Sequence, residues 1–312
     1  MKISMQEGET EDELSVSNWD IGVIGEVIDH RGEAAVAFVR RHTREVITAI
    51  YNPDSFKLSL TLPESEHSAA LDIICDADDS HDALKFLKGR SILLEASTLG
   101  FVEILLFAKT LWSVQRQLSF LYVEPKGYTL IGPGTRRSYL LSKRDFELSE
   151  EVAGYIPIPG ATRILSDRVK QRTVFFLGYE ERRLDRALED NQMVQPDTCS
   201  VVFGVPAFKP GWEMDAFANN IRIIAERRIQ GGIHFCGAEN PAAAFRVLEN
   251  VRRGVGATER LFIGPIGTKP MGIGAALFAT VHPEVGIFYD HPRRSKWRSN
   301  LVARWHVYNA TA

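Results

Sequence analysis

The stretch Arg260 to Asp290, RLFIGPIGTKPMGIGAALFATVHPEVGIFYD, contains one complete strand–helix–strand pattern. RLFIGP (260–265) is apolar without alternation, as expected of a strand covered on both faces. Ile266-Gly267 forms a turn, Lys269 to Thr280 has the length of a helix, and VGIFYD (285–290) is a second strand. A strand, a crossover helix and a second strand predict a parallel pair with a right-handed connection.

Working outward, the same rhythm recurs. Strand-like runs occupy Asp20 to Val27, Val46 to Tyr51, Ser91 to Ala96, Leu118 to Val123, Thr173 to Gly178, Ser200 to Val205 and Gly232 to Gly237. Helical patterns lie between them at Glu33 to Arg41, Ser97 to Ser113, Arg182 to Asn191, Asp215 to Arg228 and Pro241 to Arg253. The alternation predicts an α/β fold with a doubly wound, mainly parallel Rossmann-like sheet. Two stretches break the rhythm. FKLSLTL (56–62) alternates polar and apolar residues and suits a half-exposed edge strand, while Tyr128 to Arg172 is rich in Gly, Pro, Arg and Ser and reads as an insertion. The expected organisation is a disordered acidic tail over residues 1–17 and one domain over 18–312. Possible halves are 18–127 and 173–312, joined by the insertion 128–172.

Composition narrows the function classes. The chain has 312 residues, 45% hydrophobic and 25% charged, which is enough to bury a full core. With 37 Lys+Arg against 40 Asp+Glu the net charge is −3, so no global field draws nucleic acid or membrane. The acidic start is the reverse of a signal peptide, and Glu95, Glu103 and Lys109 interrupt the longest apolar stretch, which argues against a membrane span. A cytoplasmic protein is expected, with Cys75, Cys199 and Cys236 as free buried thiols. No Cys-x-x-Cys or His-x-x-x-His spacing marks a metal site. A Walker A loop, a Gly-x-Gly-x-x-Gly turn after a strand and a Gly-x-Ser-x-Gly elbow are all missing from the sequence, which disfavours P-loop hydrolysis, ordinary NAD binding and that type of serine hydrolase.

In an open α/β sheet, ligands collect beyond the carboxyl ends of the strands. The residues there are polar: Glu95 to Thr98, Glu124, Tyr179 to Arg183, Pro206 to Trp212, Gly267 to Lys269 and Asp290. Singly, an acid or hydroxyl in a first helical turn also serves to complement the helix dipole. Lys269 resists that explanation, because a cation at a helix N-terminus opposes the dipole unless an anion joins it. Gly267 permits close approach, Thr268 caps, and Pro270 fits the first turn. Together they suit a phosphate. Ser97, Thr98, Glu180, Arg182, Met271, Asn220 and Asp290 complete the ligand-binding candidates, with Asn220 able to read a base or ribose edge. Glu95 and Glu124 would end neighbouring or near-neighbouring strands and would be the acid–base pair if the protein cleaves a nucleotide. From His291 onward, Arg293, Arg294, Lys296, Arg298 and Arg304 occur without an acid. This cluster suits phosphates, with Trp297 or Trp305 stacking on a base, and equally suits an acidic partner, including the chain's own N-terminal segment.

The segment FIGPIGTKPMGIGAAL followed by VGIFYD resembles the C-terminal strand, Gly-Thr-Lys turn and helix of CARF domains and, more loosely, SAVED domains, the Rossmann-like sensors of prokaryotic antiviral systems. The resemblance covers about 30 residues, and Gly267, Thr268, Lys269 and Met271 match the turn. Pro265 and Ile266 depart from the small or hydroxyl residues frequent there. The resemblance implies a nucleotide or cyclic-oligonucleotide ligand, commonly in a dimer, and a separate effector protein. A non-catalytic subunit of a defence complex is a further reading, with Arg293, Arg294, Lys296 and Arg298 as its partner surface.

Overall fold

The computed structural model describes residues 1–16, 18–62, 70–74, 84–130, 146, 148–152, 154–163, 169–190 and 194–312. Its elements run in chain order as β1 (Lys2–Gly8), β2 (Trp19–Ile24), α1 (His30–His42), β3 (Thr43–Asn52), β4 (Lys57–Thr61), β5 (Ala70–Ile74), β6 (Ile92–Glu95), α2 (Phe101–Gln115) and β7 (Gln117–Tyr128). Then follow β8 (Ser149–Val152), β9 (Lys170–Leu177), α3 (Glu181–Asp190), β10 (Cys199–Gly204), α4 (Trp212–Glu226), β11 (Gly232–Cys236) and α5 (Pro241–Arg253). The chain closes with β12 (Glu259–Pro265), α6 (Lys269–Val281), β13 (Gly286–Ile287), β14 (Pro292–Arg294) and β15 (Ser299–Thr311). The expected strand and helix runs are all present, with ends shifted by a few residues. The fold is α/β and Rossmann-like.

The chain divides into two units rather than forming one domain. Unit 1 comprises Met1–Gly127, Ile158–Gly160 and Lys296–Ala312; unit 2 comprises Tyr128–Pro157 and Ala161–Ser295. In unit 1 an eight-stranded sheet has the order β1-β15-β7-β6-β2-β3-β4-β5. Its centre is parallel, β7 with β6, β6 with β2, and β2 with β3. Antiparallel strands flank that centre on both sides. Because α1 is apolar along one face, Ala35, Phe38 and Val39 bury against Leu93, Leu121, Val123, Trp305 and Val307.

Unit 2 is the more regular. Its five-stranded sheet is wholly parallel in the order β11-β10-β9-β12-β13. Helix α3 packs with α4, and α5 with α6, as two right-handed crossover series leaving the central strand in opposite directions require. Phe175, Leu177, Val201 and Phe203 pack with Leu184, Ala187 and Ile223 in its core.

Three expectations are corrected and one is met. Residues 2–8 are not a disordered tail: they form β1, in register from Lys2 against Thr311 to Gly8 against Trp305. The segment Lys57–Thr61 has the expected half-exposed alternation, yet it lies inside the sheet between β3 and β5 rather than at its edge. The basic C-terminal segment is built into β14 and β15, and of the partners expected for it the chain's own acidic N-terminal segment is present: Arg304 lies 3.4 Å from Glu7 and 3.9 Å from Glu9. Trp305 is 7% exposed within the unit 1 core, so it cannot stack on a base, whereas Trp297 is 54% exposed. The expectations for Cys75 and for much of the 128–172 insertion fall outside the described residues. Cys199 and Cys236 are free and buried, and burial pushes both thiols up to about 12.

Candidate functional site

In unit 2 the strand order reverses between β9 and β12, since the chain runs from β9 through β10 to β11 on one side and from β12 to β13 on the other. Such a reversal opens a crevice at the carboxyl ends. β9 runs there into Gly178-Tyr179-Glu180 and β12 into Ile266-Gly267-Thr268-Lys269. A Cβ on Gly178 would lie 3.3 Å from the Ile266 carbonyl oxygen and 3.8 Å from the Gly267 Cα, so the two loops meet. Thr268 caps α6: its hydroxyl accepts from the Met271 N–H at 3.4 Å and donates to the Ala238 carbonyl at 2.6 Å. The cap ties this turn to the β11–α5 loop. Pro270 has no N–H, and the Gly272 N–H is taken by the Thr268 carbonyl at 2.9 Å. Lys269 and the backbone of Gly267 and Thr268 border the turn. All three residues are partly exposed, as are Gly178, Tyr179 and Glu180.

Aromatic rings cluster around the β9 loop. Tyr179 stacks on Phe146 at 4.3 Å and 22°, and Tyr128 lies 5.6 Å from Tyr179 and 5.3 Å from Trp212. The Lys209 ammonium sits 5.2 Å above Trp212. These rings are half-buried. Tyr179 and Trp212 were visible in the sequence as residues following strands, but nothing there gave them a role. Phe146 falls within the apparent insertion, where no periodicity pointed to it.

Other predicted ligand residues are committed to the protein itself. The Asn220 amide nitrogen donates to the Gly178 and Ala216 carbonyls, both at 2.8 Å, and Asn219 donates to the Tyr179 carbonyl at 2.7 Å. Asn220 is thus a strut that holds the β9 loop, not a reader of base or ribose. Met271 is fully buried, with its sulfur 2.9 Å from where a Cβ on Gly267 would stand. Asp290 is fully buried and accepts from Arg183 Nε and Nη2 at 2.6 Å each. Burial opposes the Arg183 charge, but Asp290 more than restores it and holds the guanidinium protonated. Tyr155 donates to the Arg183 carbonyl at 3.0 Å, and burial raises its phenol above the usual range. Glu180 accepts from the Ser149 hydroxyl at 3.3 Å and lies 3.7 Å from Arg183. Arg182 is exposed in the first turn of α3. Arg293 lies 3.5 Å from Glu150, and Lys296 is exposed.

Unit 1 has its own strand reversal, between β2 and β6, and there the loops are closed on each other. The Gly25 N–H donates to the Thr98 hydroxyl at 2.8 Å, and a Cβ on Gly25 would meet the Thr98 carbonyl oxygen at 2.4 Å, so only glycine permits this approach. Glu95 is fully buried; its carboxylate accepts from the Ser97 N–H at 2.7 Å, the Thr98 N–H at 2.8 Å and the Thr98 hydroxyl. The Ser97 hydroxyl in turn accepts from the Val123 N–H at 2.9 Å. Glu95, Ser97 and Thr98 therefore hold the β6–α2 loop shut. Burial pushes the Glu95 carboxyl up, against the pull of these hydrogen bonds. Glu95 and Glu124 do stand on adjacent strands, but Glu124 faces a buried His306, 3.2 Å from its Nε2. The two carboxyls do not open onto a common substrate face, and the acid–base pair is not formed.

Among the described residues no helix is long and apolar enough to cross a membrane. No family model and no curated protein matches the chain. A solved ketoreductase domain from the bacillaene assembly line is similar at 12% identity, over 90% of this chain and 70% of that one, with a TM-score of 0.22.

Proposed function

We propose that unit 2 binds a phosphate-bearing nucleotide, of the cyclic-oligonucleotide class that the Gly267-Thr268-Lys269 resemblance implies, and acts in prokaryotic antiviral signalling as a sensor. The observation that carries this reading is the contrast between the two strand reversals: that of unit 1 is sealed by Thr98 and Glu95, while that of unit 2 keeps Gly267, Thr268 and Lys269 partly exposed beside Tyr179. Lys269 and the turn backbone would hold phosphate, and the rings around Tyr179 would receive a base. The signal would pass to a second copy or to a separate effector, with Arg293 and Arg294 of unit 2 as one contact surface and Lys296 and Arg298 of unit 1 as another.

Thermal unfolding of the whole chain with ATP and with cyclic di- and tri-nucleotides tests the reading. A ligand that binds only the folded state adds RT ln(1 + [L]/Kd), about 2.7 kcal/mol at a hundred times Kd. The expected result is stabilisation by at least one cyclic nucleotide, without product, that Lys269→Ala removes. A response unchanged in Lys269→Ala would refute it.

A further inference from the structure

Unit 1 carries a cleft of about 400 Å³ at the amino ends of β2, β6 and β7, against β1 and β15. That volume lies within the roughly 300–1,000 Å³ of small-molecule sites. Its origin is readable along two strands. By alternation, one face of β7 presents Gln117, Ser119, Leu121 and Val123, and one face of β15 presents Trp305, Val307 and Asn309. Leu121, Val123, Trp305 and Val307 belong to the core under α1. One step beyond them the same face turns polar on both strands, and the Ser119 hydroxyl, on a residue 4% exposed, donates to Asn309 Oδ1 at 2.7 Å.

Three further carboxamide-bearing residues, Gln6, Asn18 and Gln117, line the cleft. No carboxylate lines the cleft among the described residues, and its cation, Arg90, lies 3.0 Å from Glu45. An ionic ligand thus finds no uncompensated charge. A carboxamide offers a donor and an acceptor side by side, the arrangement that adjacent hydroxyl groups satisfy. With Asn309 Oδ1 taken by Ser119, its nitrogen is the half left to donate. Gln115 also lines the cleft, and its Oε1 is enclosed without a hydrogen-bond partner among the described residues.

We propose that this cleft binds a neutral polyhydroxy ligand of monosaccharide size. It is independent of the nucleotide reading, since every residue invoked belongs to unit 1.

The test is a titration of the isotopically labelled full chain with D-glucose and D-ribose to tens of millimolar, read on side-chain amide resonances. The expected result is saturable shifts at Gln117 and Asn309 with at least one sugar. Binding should be about tenfold weaker in Gln117→Leu, an exposed position whose change spares the fold, and unaltered in Lys269→Ala. Shifts that rise linearly with both sugars, or saturate equally in Gln117→Leu, would overturn the proposal.

Discussion

Glu95 shows what a single buried carboxyl costs. Unfolded, the group ionises in the ordinary range; folded, burial raises its pKa. Between those two values the folded state holds a proton that the unfolded state has released, so stability is fullest at acidic pH and falls as pH rises through the folded value. Glu95→Gln removes this dependence. Urea unfolding should show the variant gaining on the parent protein as pH is raised from 5 towards 8; a constant difference between the two would contradict the assignment. At this scale the sequence was legible in part. Lys269 stood out because its charge opposes a helix dipole, a local effect. Asn220, Asp290 and Glu95 look equally functional in one dimension. Their partners, the Gly178 carbonyl, Arg183 and the Thr98 loop, are supplied by tertiary contacts that no local pattern encodes.

Among the elements, α1 depends on more than its own sequence. Asp29 caps it through the Gly32 N–H at 3.0 Å, while its second oxygen meets Arg31 at 3.2 Å and the Ser299 hydroxyl. Arg31 also donates to Ser299 at 2.8 Å and to the Val123 carbonyl at 3.2 Å, which ties the helix to β15 and β7. Burial alone would raise the Asp29 pKa, but Arg31, Ser299 and Gly32 outweigh it and hold the carboxyl below its usual range. Its contribution is present above the unfolded value and disappears as pH falls through the folded one. Asparagine caps as well as aspartate but cannot neutralise Arg31. Asp29→Asn should therefore cost about 3 kcal/mol at neutral pH in urea unfolding, whereas a loss confined to a few tenths would mean that the cap is all that matters. The elements best read from sequence were those covered on both faces, where apolar runs stop at Gly or Pro. β1 and β15 were missed because their signal is a weak period of two, with Ile3 and Met5 outvoted by the acids that follow.

For the whole molecule, the decisive fact is that unit 1 takes residues from both ends of the chain. β15 lies within its sheet, between β1 and β7, and contributes Trp305 and Val307 to the core. Deleting Lys296–Ala312 should unfold unit 1, since β1 then has no partner and β7 has an open edge. Unit 2 keeps its five parallel strands. Limited proteolysis with mass spectrometry should yield a resistant fragment within 161–295 from the truncated chain; equal resistance across 18–127 would show that unit 1 closes without β15. The same arrangement sets an order of assembly during translation. Residues 18–127 leave the ribosome before unit 2, yet their sheet waits for a strand made after all of unit 2, so unit 1 completes its sheet only once unit 2 has been synthesised. Its exposed strand edges must meanwhile be kept from other chains, and anything that slows synthesis between Tyr128 and Ser295 lengthens that exposure.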